Sequence, residues 1–385
     1  MRRYSEDDEK RIRAQTRVRQ WTRAGLLDPS QGTQFEAELR VDVRRTNVFL
    51  RAGLALFTGL IVGASVLFVM VGLDLNRGIA IATVSGMAAL ACIGLAETLV
   101  TRFRFYRFGV EEALAVASVV LLGATGASLT ETLHLDRFRN APETVGLLIA
   151  AAGGLALYRR FGFVYAAVGG LVCAVAIPFQ LRLLSPTTQH VLAAATLASA
   201  FAVARSKRLK YQDDYPGDDY ALLQAAAWAG LYITLNLKLM WDGIEGFFYW
   251  FTYVITWVLP VVGLYLGLRE KDRPLIDVSL VMALVTLLTN KSYLGATRRE
   301  WDPILLGIFL MVVALSVRQW LLRGAGGQRR GFTPKRLLNK DNEALTLLRT
   351  ASVTFQPNDP AARPDPVKSD FDGGRSGGGG ASGTF

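Results

Sequence analysis

The residues best able to do chemistry lie in one short stretch, NLKLMWDGIEGFFYW at positions 236–250. Asn236, Lys238, Asp242 and Glu245 offer an amide, an ammonium and two carboxylates, a set that recognises small polar or ionic solutes. If a helix continues through them, Lys238 and Asp242 share one face at a spacing of four and pair. Gly243 and Gly246 then end that helix, and Trp241, Phe247, Phe248, Tyr249 and Trp250 surround the polar turn with aromatic rings. The same composition also describes an interfacial aromatic belt around a polar outer loop.

Elsewhere the chain lacks the patterns of a reaction centre. No nucleophile stands beside a base, no glycine loop is spaced to cradle phosphate, and the two cysteines and two histidines have no metal-ligand spacing. Cys92 and Cys173 fall in the middle of apolar segments as inert thiols, and His134 and His190 are isolated. The expectation is a non-catalytic protein with no metal and no cofactor.

These residues must be positioned by apolar helices. Of 385 residues, 51% are hydrophobic, and between Val48 and Leu322 they form blocks long enough to cross a bilayer as helices. Apolar windows and their breakers predict ten helices at 48–73, 78–100, 108–130, 142–158, 161–181, 187–204, 220–240, 247–268, 274–290 and 303–322. The fold class is therefore all-α, a polytopic integral membrane bundle. The first span follows 47 hydrophilic residues, so it reads as a retained span rather than a cleaved signal. Pro178 and Pro260 fall within spans, where they should kink the helix and free carbonyls. AAAGGLAL and AAVGGLV allow spans 4 and 5 to pack closely.

Charge gives the orientation. With the amino terminus inside, 33 lysines and arginines lie in inside segments, 7 outside and 3 within spans. That bias predicts ten spans with both termini cytoplasmic, in a cell inner membrane. It also accounts for the net charge of +11 without nucleic acid, leaving the lipid bilayer as the evident partner. Arg51, Glu97, Glu111, Glu112, Asp277 and Arg318 sit near the inner ends of spans, where charges snorkel and pair locally, with Arg107 and Glu111 spaced as a helical ion pair. No inverted repeat is evident. The long inner segment RSKRLKYQDDYPGDDY divides the spans six and four, suggesting a hinge between unequal bundles.

Residues 1–47 read as a cytoplasmic helical hairpin. Ser5 and four acidic residues start one helix, Gly25 stops it, and Asp28, Pro29 and Gln31 supply a cap, a first-turn proline and a capping-box partner for the next. Ala14, Val18 and Trp21 form one apolar stripe and Phe35, Leu39 and Val43 another, predicted to pack together before the second helix runs almost directly into span 1. The alternative is an arginine-rich helix lying flat on the membrane. Trp21, Gly25-Leu26-Leu27 and Gln31 together resemble the amino-terminal hairpin of a family of uncharacterised bacterial polytopic membrane proteins, defined as a domain of unknown function. The resemblance covers about thirty residues and brings no known activity.

After the last span, 323–355 offers short cytoplasmic helices, and 356–385 is too poor in apolar residues and too rich in Pro, Gly and Ser to order. Two soluble pieces facing one compartment favour a scaffold or sensor that engages a cytoplasmic protein through residues 1–47 or the tail. The alternative is a small-solute transporter with its polar site at the outer end of span 7.

Overall fold

A computed structural model describes residues 4–23, 25–74, 78–133, 140–181, 183–211, 217–240, 243–296 and 301–324. Trp241, Asp242, His134 and nearly all of the tail lie outside the described residues. Those described are all-α, with one isolated β-bridge between Arg44 and Phe105. Two helices, α1 (Glu6–Arg23) and α2 (Pro29–Glu38), precede the apolar ones. Then come α3 (Val48–Gly72), α4 (Gly78–Thr101), α5 (Val110–Thr132), α6 (Ala141–Phe161) and α7 (Val164–Gln180). The remainder are α8 (Pro186–Lys210), α9 (Gly217–Leu235), a four-residue α10 (Leu237–Met240), α11 (Phe247–Glu270), α12 (Arg273–Tyr293) and α13 (Asp302–Leu322).

A helix thus occupies each of the ten apolar ranges. Seven of them, α3, α4, α5, α6, α8, α11 and α12, are long and apolar enough to cross a membrane by length and composition, and α7 is a shorter apolar helix of 17 residues. The helix starts follow local chemistry. The Asn47 side chain accepts the Leu50 amide at 2.7 Å to cap α3, and Ser185 accepts the Thr188 amide at 3.2 Å to cap α8 ahead of Pro186. Gly162 closes α6 in the left-handed region. At Gly109, which opens α5 with φ 109°, a Cβ would stand 2.3 Å from the Arg51 carbonyl oxygen, so only glycine lets α3 approach so closely.

Two apolar clusters organise the bundle. One joins α4, α5, α6 and the start of α7 around Cys92, Leu114, Leu157 and Phe163. The other joins α8, α9, α11 and α12 around Leu197, Trp228, Leu235 and Leu275. This moves the expected division. α8 and α9, the helices on either side of the expected hinge, both belong to the second cluster, where Phe201 meets Trp228 at 4.6 Å between ring centroids. Arg205 and Arg208 hold Glu270, and Arg208 also reaches Asp272, fastening that end of α8 to the α11–α12 link.

The hairpin forms as its turn residues predict. Gly25 adopts φ 71°, the Leu26 amide donates to the Trp21 carbonyl at 2.9 Å, and the Gln31 side chain accepts the Asp28 amide hydrogen at 3.2 Å. Arg19 pairs with Glu36 at 2.9 Å, and Gln15 donates to the Leu39 carbonyl at 2.6 Å. Two expectations are corrected. Of the apolar stripes only Val18 is buried, whereas Trp21 and Phe35 stay 44% and 42% exposed, because the two helices meet through Gly32 against Thr22 and through polar pairs. Residues 39–47 form an extended link rather than a direct helical entry into α3. Arg44 in that link exchanges backbone hydrogen bonds with the α4–α5 connection, at 3.0 Å each to Arg104 and Tyr106. Tyr4 completes the docking, edge-on to Tyr106 at 4.9 Å and beside Phe163.

Candidate functional site at the α9–α10 break

The polar stretch singled out in the sequence does not continue as one helix. α9 ends at Leu235, Asn236 stands outside it, and α10 resumes for one turn. Lys238 lies in α10, beyond the break, and the expected pair with Asp242 lies outside the described residues. Asn236 is fully buried, and its side-chain amide donates to the Tyr232 hydroxyl at 3.1 Å and the Thr289 hydroxyl at 3.3 Å.

The interruption frees backbone groups that apolar surroundings cannot satisfy. Neighbouring helices supply the partners. The Leu237 amide, fully buried, donates to the Tyr293 hydroxyl of α12 at 2.8 Å. The Thr234 carbonyl lies 2.7 Å from His190 Nδ1 of α8, and the His190 ring is held edge-on by Phe179 at 5.1 Å.

α11 has its own interruption. Pro260 brings no N–H, so the Thr256 carbonyl one turn earlier loses its helical donor. The Thr286 hydroxyl of α12 lies 2.9 Å from that carbonyl, and the Tyr232 hydroxyl lies 2.9 Å from the Thr286 oxygen. One hydroxyl thus joins α9, α11 and α12. Closer to the helix ends, Tyr253 donates to Asn290 Oδ1 at 2.8 Å and Tyr249 to the Tyr293 carbonyl at 2.6 Å. From Tyr293 to Thr286 is seven residues, so this neutral network extends about 10 Å along α12.

Its mouth carries charge. Lys238 Nζ sits 5.0 Å from the Tyr249 ring centroid and 5.9 Å from that of Tyr293, a cation held against two aromatic faces. Lys238, Glu245, Tyr249 and Trp250 line a cavity of about 320 Å³ with Gly243, Ile244 and Gly246. Glu245 is exposed there. The structure therefore brings Asn236, Lys238 and Glu245 to one end of the bundle, with Asn236 beneath the mouth and the other two at it.

Sequence reading missed the partners on α11 and α12. A signal existed: Thr286, Thr289, Asn290 and Tyr293 recur at spacings of three, one and three, and Tyr249, Tyr253 and Thr256 at four and three. Each is a polar stripe on one face of an apolar helix.

Several charged residues near the other end of the bundle are fastened in pairs. Arg51 grips Glu112 through two nitrogens at 2.6 and 2.5 Å, Arg160 holds Glu97, and Arg273 lies 3.7 Å from Asp277. The expected Arg107–Glu111 pair on one helix is corrected. Arg107 precedes α5 with φ 50° and lies over the Tyr106 ring, while the Glu111 carboxylate accepts the Phe108 amide at 2.6 Å, fixing the first turn of α5. Among the described residues no group of three or more His, Cys, Asp and Glu side chains is arranged to hold a metal.

No family model, no curated protein and no solved structure matches this chain.

Proposed function

We propose that this chain is a multi-pass protein of a bacterial cytoplasmic membrane that binds a small anionic or zwitterionic solute at the end of α9 and serves as its transporter or receptor. Seven helices long and apolar enough to span support the membrane assignment. The ratio of 33 inside to 7 outside basic residues supports ten spans, with both termini cytoplasmic and the α9–α10 break facing outward. The observation that carries the solute reading is the break itself. An interrupted helix that ends in backbone and side-chain polar groups beside a cavity is the arrangement by which membrane transporters hold solutes. Lys238 supplies the charge that selects an anionic group, and Tyr249 and Trp250 supply a wall for the rest of the molecule.

The experiment is thermal unfolding of the detergent-purified full chain across amino acids, short carboxylates, phosphate and sulfate. A ligand that binds only the folded state raises stability by about 2.7 kcal/mol at a hundred times its Kd. At least one carboxylate or amino acid should raise the midpoint in the wild type and not in Lys238→Met. A shift that survives Lys238→Met would move the site elsewhere, and a flat panel would remove support for the solute reading.

A second reading rests on a different observation. Trp21, Leu26 and Phe35 remain exposed on the hairpin, which suits a scaffold or sensor capturing a cytoplasmic protein through residues 1–47. Because Tyr4 and Val18 are buried, deleting the hairpin would damage the bundle as well. Replacing Trp21, Leu26 and Phe35 by serine tests the surface alone, and this reading predicts loss of a stoichiometric co-purifying protein.

A further inference from the structure

Between α6 and α7 on one side and α8 and α9 on the other lies a cleft of about 700 Å³. Its floor is apolar and made of small side chains, among them Ala151, Gly170, Ala174 and Ala200. The close packing of α6 on α7 makes that floor smooth: a Cβ on Gly154 would come within 2.9 Å of the Gly170 Cα. Leu155 and Val203 form exposed walls, so the cleft opens sideways to whatever surrounds the helices.

One end of this cleft is different. Arg159 from the last turn of α6 and Lys207 from the last turn of α8 both line it, with Tyr158 and Tyr220 beside them. Both cations are exposed, and among the described residues neither has a carboxylate partner. Their neighbours behave otherwise. Arg160 is bound to Glu97, and Arg205 and Arg208 are bound to Glu270. The paired basic residues lock helices together, and the two that line the cleft are left for something else. From Arg159 to Ala151 is eight residues, which places the basic rim about 12 Å from the far end of the floor.

We propose that this cleft is a binding site for one anionic phospholipid, with the phosphate at Arg159 and Lys207 and an acyl chain along the apolar floor. A soluble anion has no use for 12 Å of apolar floor, and an uncharged lipid has no use for two unpaired cations. An anionic lipid uses both, and basic clefts between membrane helices are where such headgroups are recognised. The site is separate from the α9–α10 break and does not depend on a solute binding there.

The test is lipid titration of the full chain purified in detergent and freed of endogenous lipid, read by native mass spectrometry and by the unfolding midpoint. The probes are phosphatidylglycerol, phosphatidylcholine with the same chains, and glycerol phosphate, the last carrying the anion without the tails. Phosphatidylglycerol should bind roughly thirty-fold more tightly than phosphatidylcholine, as two basic side chains at a headgroup imply. The R159Q/K207Q variant should lower phosphatidylglycerol to the phosphatidylcholine level. Both residues are exposed, so this variant should fold with a lipid-free midpoint like the wild type. Ala200→Phe, which fills the floor, should weaken both lipids, and neutralising Arg11 and Arg17 on the hairpin should leave the preference intact. Equal affinity for the two lipids, a preference unchanged in R159Q/K207Q, or glycerol phosphate binding as tightly as phosphatidylglycerol would each overturn the proposal.

Discussion

Replacing Tyr293 by phenylalanine removes one oxygen atom and tests whether the break in α9 is held by its neighbours. The ring stays, and with it the contacts to Tyr249 at 5.2 Å and Tyr253 at 5.3 Å. The Tyr293 carbonyl still accepts from Tyr249. What disappears is the acceptor for the Leu237 amide, a donor on a fully buried residue. A buried donor left without a partner costs about 1–3 kcal/mol, more than the net value of the bond itself, because its desolvation is no longer offset. One relaxation can lower that cost. If α9 straightened through Asn236, Leu237 would donate to the Ile233 carbonyl in the ordinary helical pattern. It would do so at the expense of the Asn236 bonds to Tyr232 and Thr289.

The assay is reversible unfolding in detergent, followed by far-ultraviolet circular dichroism and by tryptophan emission, on Tyr293→Phe, Asn236→Leu and the double variant. Tyr293→Phe should lose about 1–3 kcal/mol, and the two substitutions should couple by at least ~0.5 kcal/mol, since each removes part of one network. A Tyr293→Phe protein within about 0.5 kcal/mol of wild type, additive with Asn236→Leu, would refute the claim that the break is closed by this hydroxyl.

Two further predictions concern charged residues. Arg51→Met leaves Glu112, whose side chain is 7% exposed, without its cation, and should cost about 3 kcal/mol, the lower end for a broken buried pair because Arg51 is itself 30% exposed. Adding Glu112→Gln should restore most of that loss, which melting of the single and double variants measures; a double variant as unstable as Arg51→Met would show that the ion pair is not the cause. At the link between α11 and α12, burial pushes the Asp272 carboxyl above the ordinary aspartate value of 3.8, with the Arg208 guanidinium opposing and the Glu270 carboxylate adding to the rise. A carboxyl whose folded pKa is raised favours the folded state while protonated, so its contribution is greatest below 3.8 and declines as pH rises from there toward the raised value. Asp272→Asn should flatten that segment of the stability-against-pH curve, and an unchanged slope would exclude Asp272 as its source.

Hydropathy made the apolar helices legible because the length and composition of such a helix are properties of its own residues. The hairpin turn was legible for the same reason: Gly25, Asp28, Pro29 and Gln31 act on backbone within four residues of themselves. The break at Asn236 was not. No glycine or proline interrupts the sequence there, and the helix stops because Tyr293, 56 residues away in sequence, offers a better-placed acceptor than the preceding turn. Pro260 shows the intermediate case. Its missing N–H and the orphaned Thr256 carbonyl follow from sequence, but that Thr286 satisfies the carbonyl requires knowing that α12 packs on α11. The docking of Tyr4 against Tyr106 and Phe163 was hidden likewise, since its partners belong to two other connections of the chain.

Placing both interruptions against one helix has a mechanical consequence. α12 supplies the Tyr293 hydroxyl to α9, the Thr289 hydroxyl to Asn236 and the Thr286 hydroxyl to α11. Sliding or rotating α12 against α9 must break these contacts together, because all three lie on one face within about 10 Å. Packed elements tied in this way exchange between discrete arrangements rather than deforming gradually. Lys238 connects this set of contacts to the cavity at the mouth. Its ammonium rests on the rings of Tyr249 and Tyr293, and the hydroxyl of the second caps Leu237. A solute whose anionic group draws Lys238 off those rings therefore acts on the residue that keeps α9 broken. If a solute binds there as proposed, its binding at the mouth and the position of α12 are coupled through a single tyrosine.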